Sequence, residues 1–178
     1  MRNRGFKGEI RKEILQYCKS KGIGSDRFRP VPMDKWQNIY DEAVDHFVDK
    51  TKNWRQGLHW LSINGNFCPG MEVIAAYDTR DDWEWVRALP RLPVIRGQMA
   101  YLFIEEGSKF WIFEGLPDVI AEILEEGLYW DDYYIISRKY QWMISMNHEE
   151  IVLFAGTGLD REVIMEIKDG GERSAEKG

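Results

Sequence analysis

The stretch QMAYLFIEEGSKFWIFEG, residues 98–115, decides the fold. Two apolar runs flank Gly107-Ser108, a dipeptide suited to a two-residue hairpin turn. In that register Glu106 faces Lys109 as a cross-strand charge pair, Ile104 faces Trp111, and Leu102 faces Phe113. Phe103 and Ile112 meet on the opposite face. Both faces are apolar, so both need cover, and the hairpin is expected near the centre of a sheet.

Downstream, YYIISRKYQWMISMNHEEIVLFAG, residues 133–156, supplies a second hairpin and a third strand. A loop centred on Arg138-Lys139 pairs Ile135 with Trp142 and Tyr133 with Ile144. Arg-Lys is poor chemistry for a tight primed turn, so a four-residue loop over 137–140 is expected, in the same register. Asn147-His148-Glu149-Glu150 then reads as a polar link into IVLFAG, with Asn147 turning the chain. Between the hairpins, LPDVIAEILEEG reads as a helix, with Pro117 in its first turn and Gly127 as its stop. Its inner stripe is Ile120, Ile123 and Leu124.

Upstream, a helix over 8–21 closes at Gly22, and Pro30 and Pro32 enforce an extended connection. Asp34 is placed to cap a second helix, whose apolar stripe runs through Trp36, Ile39, Tyr40, Ala43, Val44, Phe47 and Val48. Residues 53–64 fit strand or helix equally. MEVIAAY reads as a buried strand, and Thr79-x-x-Asp82 as a capping box ahead of a short helix carrying Trp83 and Val86. Leu159, Val163 and Ile167 suggest a short last helix. The fold class is α+β: a mostly antiparallel sheet built from hairpins at about 99–114 and 133–155, with helices packed against it. Residues 1–168 are expected as a single globular domain, and 169–178 as a disordered tail.

At 178 residues the chain can bury a sizeable core, and 44% hydrophobic with 30% charged residues is ordinary for a globular protein. A net charge of −6 argues against nucleic-acid binding, which needs basic surface to neutralise phosphates. No apolar run reaches the roughly 20 residues that span a bilayer, and the basic N-terminus lacks the apolar segment of a signal peptide. Cys18 and Cys68 lie far apart with no CxxC pairing. A cytoplasmic protein without membrane contact is expected.

Catalytic signatures fail residue by residue. His148-Glu149-Glu150 begins like HExxH, but Val152 stands where the second zinc-binding imidazole belongs. The zinc-deaminase reading of H-x-E needs a later P-C-x-x-C, and no cysteine follows Cys68. There is no GxSxG elbow, and in AGTGLDR the third glycine of a dinucleotide loop is replaced by Arg161. No metal and no cofactor is expected. The weak catalytic candidates are His148, Asn147, Glu149 and Glu150.

Charge says more. Between Lys109 and Arg138 no basic residue occurs, while Glu114, Asp118, Glu122, Glu125, Glu126, Asp131 and Asp132 are all acidic. Such a run is most often a solvated face. It also fits an acidic, aromatic-tipped surface for a basic protein partner, anchored by Trp130 with Tyr129, Asp131, Asp132, Glu125 and Glu126. Arg80, Arg87, Arg91 and Arg96 are expected to pair internally with acids. Trp83, Trp85 or Trp111 could instead line a small-ligand pocket.

The run Tyr133 to Trp142 followed by Asn147-His148 resembles a pattern in small uncharacterised bacterial proteins, mainly over the C-terminal half from the Trp111 hairpin onward. More loosely, the chain resembles the Smi1/Knr4-type immunity proteins, which implies an α+β, acidic, protein-binding molecule. Neither resemblance supplies a catalytic residue. The expectation is a protein-binding module, of immunity type, rather than an enzyme. The alternative is a small hydrolase or metal-dependent enzyme using His148 with nearby carboxylates.

Overall fold

The computed structural model describes residues 9–51, 57–58, 67, 71–78, 84–92, 97–107, 109–126, 132–148 and 150–175. Among them five α-helices and seven strands follow in the order α1 (Glu9–Lys21), β1 (Phe28–Pro30), α2 (Met33–Phe47), β2 (Val73–Asp78), α3 (Glu84–Ala88), β3 (Ala100–Glu106), β4 (Lys109–Gly115), α4 (Pro117–Glu125), β5 (Tyr133–Ser137), β6 (Trp142–Met146), β7 (Ile151–Gly156) and α5 (Arg161–Ala175). The strands form one sheet in the order β1-β4-β3-β5-β6-β7-β2, antiparallel at every pairing. The α+β class and the hairpin origin of the sheet are as the sequence indicates.

The β3–β4 hairpin has the expected register, with Glu106 opposite Lys109, Ile104 opposite Trp111 and Leu102 opposite Phe113. Gly107 takes φ +68, a conformation open to glycine without steric cost. Both faces are buried, because the sheet separates two cores. On one side Leu102, Ile104, Phe113, Ile135, Ile144 and Phe154 pack with Ile14 of α1, Val86 of α3, Ile120 and Ile123 of α4, and Ile164 of α5. On the other, Phe103, Ile112, Tyr134, Ile136, Met143 and Leu153 pack under Ala43, Val44 and Phe47 of α2. Each such fully buried aliphatic or aromatic side chain stabilises the fold by about 1.5–3 kcal/mol relative to exposure.

The second hairpin differs from expectation by two residues. Ile135 lies opposite Ile144 and Tyr133 opposite Met146, so the loop is 138–141 rather than 137–140. Ser137 causes the shift: its carbonyl accepts the Tyr140 N–H at 2.8 Å, and its hydroxyl accepts the N–H groups of Lys139 and Gln141 at 3.2 and 3.0 Å. Tyr140 completes the loop at φ +53. A shift of two keeps every side chain on its expected face, because strand periodicity is two.

Four local readings are corrected. The extended 28–30 segment is a short edge strand, with Phe28 paired to Gly115; Pro30 is tolerated at a sheet edge, where a missing donor costs no ladder bond. MEVIAAY is not a buried strand: among the described residues β2 is the opposite edge, pairs with β7 alone and leaves Val73 42% exposed. Asp34 does not cap α2; Pro32 holds that position and Asp34 lies in the first turn. The last helix is longer than expected and runs to Ala175, and its N–H groups start on the Asp160 side chain, which accepts from Val163 at 3.1 Å. The α1 stop is as read: Gly22, at φ +67, and Ile23 donate to the Lys19 and Cys18 carbonyls at 3.3 and 2.9 Å. The Thr79–Asp82 capping box, Trp83, Arg80, Arg96, Cys68 and His59 lie outside the described residues, as does the 53–64 segment apart from 57–58.

Candidate functional site

The β5–β6 register sets Asp132, just before β5, beside the turn that follows β6. This turn is built by Asn147. The Asn147 carbonyl accepts the Glu150 N–H at 2.9 Å, its side-chain oxygen accepts the Ile151 N–H at 2.9 Å, and its own N–H donates to the Ile151 carbonyl at 3.2 Å. The side chain is 1% exposed. Glu150 follows at φ +62, exposed. A buried amide satisfying backbone groups is what a tight four-residue connection requires.

His148 stands at the tip of this turn and meets Asp132. The Asp132 carboxylate accepts the His148 backbone N–H at 2.8 Å and lies 3.2 Å from ring Nδ1. The carboxylate is 13% exposed and the imidazole 50%. A carboxylate only accepts, so Nδ1 donates in this contact, and in the neutral ring that leaves the lone pair on Nε2. The Asp132 carbonyl also accepts the Glu105 N–H at 3.0 Å, which fixes it to the end of β3. The structure therefore joins two features that the sequence separates: His148 of the polar link and Asp132 of the acidic stretch. Of the remaining candidates, Glu149, Tyr129, Trp130 and Asp131 lie outside the described residues.

Glu125 and Glu126 belong elsewhere. Arg87 of α3 holds Glu125 at 2.8 Å, and Lys21 of α1 reaches Glu126 at 3.6 Å. The other acids of α4 are likewise engaged: Arg27 pairs with Asp118 at 2.7 Å, and the Tyr17 hydroxyl donates to Glu122 at 3.0 Å. Desolvation and the Glu122 carboxylate push the Tyr17 hydroxyl up from its ordinary value. Arg91 reaches Glu166 at 3.9 Å, so the two described arginines of the basic set pair internally.

The tryptophans proposed for a pocket have packing roles. Trp85 is 1% exposed and stacks on Tyr133 with ring centroids 6.0 Å apart. Trp111 donates to Glu106 at 2.6 Å, meets Trp36 edge-on at 5.2 Å and lies under the Arg11 guanidinium. Among the described residues no group of three or more His, Cys, Asp or Glu side chains could hold a metal ion, and no helix is long and apolar enough to cross a membrane.

Two polar groups at the other end of the sheet are absent from the sequence reading. Glu114 of β4 takes Arg29 of β1, with Nε at 2.6 Å, and Arg138 of the β5–β6 loop at 3.7 Å. Near it, the Tyr140 ring stacks on His46 at 5.1 Å and leans on Tyr101 at 6.1 Å. Burial, Tyr101 and Glu42 push the Tyr140 hydroxyl up to about 12. The first group is hidden in the sequence because β1 is too short to read as a strand. The signal for the second is the i, i+4 pair Glu42 and His46 on α2.

Neither a curated protein nor a solved structure matches the chain. Residues 7–166 match a family of unknown function, DUF6756, and the chain belongs to that family.

Proposed function

We propose that the chain is a protein-binding module of immunity type that takes a basic partner at the sheet end where Asp132 meets His148. One observation carries this reading. The acids of α4 each meet a lysine, arginine or tyrosine of the same chain, whereas the side-chain partner of Asp132 among the described residues is His148. In the sequence Asp132 directly follows Tyr129-Trp130-Asp131. A carboxylate such as Asp132, with no lysine or arginine partner among the described residues, favours a cationic partner and speeds its encounter, and Trp and Tyr are among the side chains that most often anchor interfaces. The likeness to Smi1/Knr4-type proteins and a cytoplasmic location belong to this proposal.

The test is an affinity capture from cells that express the protein natively, run with wild type, Asp132→Lys and Trp130→Ala at low and at 0.5 M salt. The proposal expects a basic protein held by the wild type, released by salt and lost by both variants. Recovery of no basic partner, or equal capture by all three proteins, would sink it.

A second reading has its own observation, the 3.2 Å Nδ1–Oδ1 contact that leaves Nε2 of a half-exposed imidazole as a base. In this reading the chain is a small hydrolase, with His148 as general base and Asp132 as its orienting carboxylate. Turnover of activated carboxyl and phosphate esters that disappears in folded His148→Gln would support it. Turnover equal in the variant and the wild type, or no turnover at all, would reject it.

A further inference from the structure

We propose that the groove between the 97–99 lead into β3 and the β5–β6 loop is a binding site for an oxyanion, the phosphate or carboxylate group of a small molecule, gripped by Arg138 and Lys139. The groove measures about 430 Å³ and is lined by Gln98, Met99, Arg138 and Lys139. That size suits a small metabolite. It opens at the end of the sheet opposite Asp132 and His148, a full length of β5 away, on the order of 15 Å.

Its charge stands out against a chain with a net charge of −6. Arg29 and Arg138 share one carboxylate, Glu114, and Lys139 has no ion-pair partner among the described residues. Two arginines thus face one carboxylate, with Lys139 next to them in the chain. Nearby Arg27 and Asp118 cancel each other.

The geometry leaves Arg138 able to bind. It faces Glu114 through Nε at 3.7 Å, an ion-pair distance but not a hydrogen bond, and its side chain is 52% exposed. The two terminal amino groups of the guanidinium are therefore available as a planar fork, the arrangement that matches an oxyanion. Glu114, 12% exposed on β4, holds the guanidinium from behind without consuming the fork. The loop is also preorganised. Ser137 accepts the N–H groups of Lys139 and Gln141, and the Tyr140 ring is clamped against His46 of α2. A loop already held in one conformation loses little entropy on binding. The Gln98 amide adds a neutral donor, and Met99 offers an apolar wall for the rest of the molecule.

The experiment is an NMR titration of the full chain with inorganic phosphate and, separately, with citrate, against sodium chloride at matched ionic strength. The expected result is saturable shifts at the Arg138 Nε–H and the 138–139 amides with one of the two probes, and none with chloride. Tighter binding of phosphate identifies a phosphate ligand, and tighter binding of citrate a carboxylate. Arg138→Gln and Lys139→Gln should each weaken binding by about tenfold or more, and Arg138→Lys should fall between, because an amine cannot fork. Lys12→Gln on α1 should bind as the wild type does. Circular dichroism confirms that each variant is folded. Shifts that do not saturate, that chloride reproduces, or that survive in folded Arg138→Gln overturn the proposal.

Discussion

Asp132 Oδ1 receives the His148 backbone N–H at 2.8 Å and faces His148 Nδ1 at 3.2 Å, so one carboxylate ties the start of β5 to the turn after β6. The backbone contact holds the turn and the ring contact holds the imidazole. Asp132→Ala removes both and is expected to cost about 1–3 kcal/mol, because a mostly buried acceptor for a turn amide is lost. His148→Gln leaves the backbone contact intact and is expected to cost under about 1 kcal/mol. Urea denaturation of the two variants measures the difference. Equal losses would place the stabilising contact in the ring rather than in the turn.

Gly156 closes β7 at φ +108, and a Cβ there would meet the Gln141 carbonyl oxygen and come within 2.6 Å of Trp142 Cα. Both neighbours are backbone, Gln141 at the end of the β5–β6 loop and Trp142 at the start of β6, and cannot swing aside. Gly156→Ala is therefore expected to cost about 3 kcal/mol or more, strain and overpacking together. Gly22→Ala has the same sign of φ, at +67, but open space around it, so it should cost only about 1–2 kcal/mol. Thermal unfolding that ranked the two in the opposite order would contradict this packing.

The β3–β4 register is readable because Gly107-Ser108 leaves one way to close a two-residue turn. The β5–β6 register is not, because a side-chain hydroxyl and a left-handed tyrosine build the loop, and neither leaves the glycine or asparagine that marks such turns. The error stays invisible to hydrophobic patterning, which a shift of two preserves. It does hide the candidate site. With Tyr133 opposite Ile144, Asp132 would face Ser145; with Tyr133 opposite Met146, it faces Asn147 and reaches His148. The acids of α4 show the complementary limit. Their run is plain in the sequence, but their partners Lys21, Arg27 and Arg87 come from separate segments that only the packing of α1, the turn before β1 and α3 around α4 brings near.

Alkaline pH should destabilise the protein in a defined window. Burial, Tyr101 and Glu42 raise the Tyr140 hydroxyl from an ordinary 10.0 to about 12, and burial raises Tyr133 well above 10.0. The folded state thus holds these protons more tightly than the unfolded chain does. Their contribution to stability is complete below pH 10 and is lost as pH rises toward and through 12, because the unfolded chain ionises first. Urea midpoints between pH 8 and 12 should stay level to about 9.5 and then fall. Absorbance at about 295 nm should show part of the tyrosine titration delayed until unfolding. In Tyr140→Phe the fall should be shallower. An unchanged slope would assign the window to the other buried tyrosines.

Ser137 offers the sharpest test of the loop, because one hydroxyl accepts two backbone N–H groups, from Lys139 at 3.2 Å and Gln141 at 3.0 Å. Both amides sit in a partly exposed loop, where water can replace the hydroxyl in part. Ser137→Ala is therefore expected to cost about 0.5–1.5 kcal/mol, short of the penalty for a fully buried amide. Ser137→Thr keeps the oxygen and should retain most of the stability. Because Ser137 also frames the loop that presents Arg138 and Lys139, the alanine variant should show faster amide exchange at Lys139 and Gln141 while the β6–β7 ladder stays protected. Exchange that quickened equally across β6 and β7 would mean that the hydroxyl supports the whole sheet end and not the loop alone.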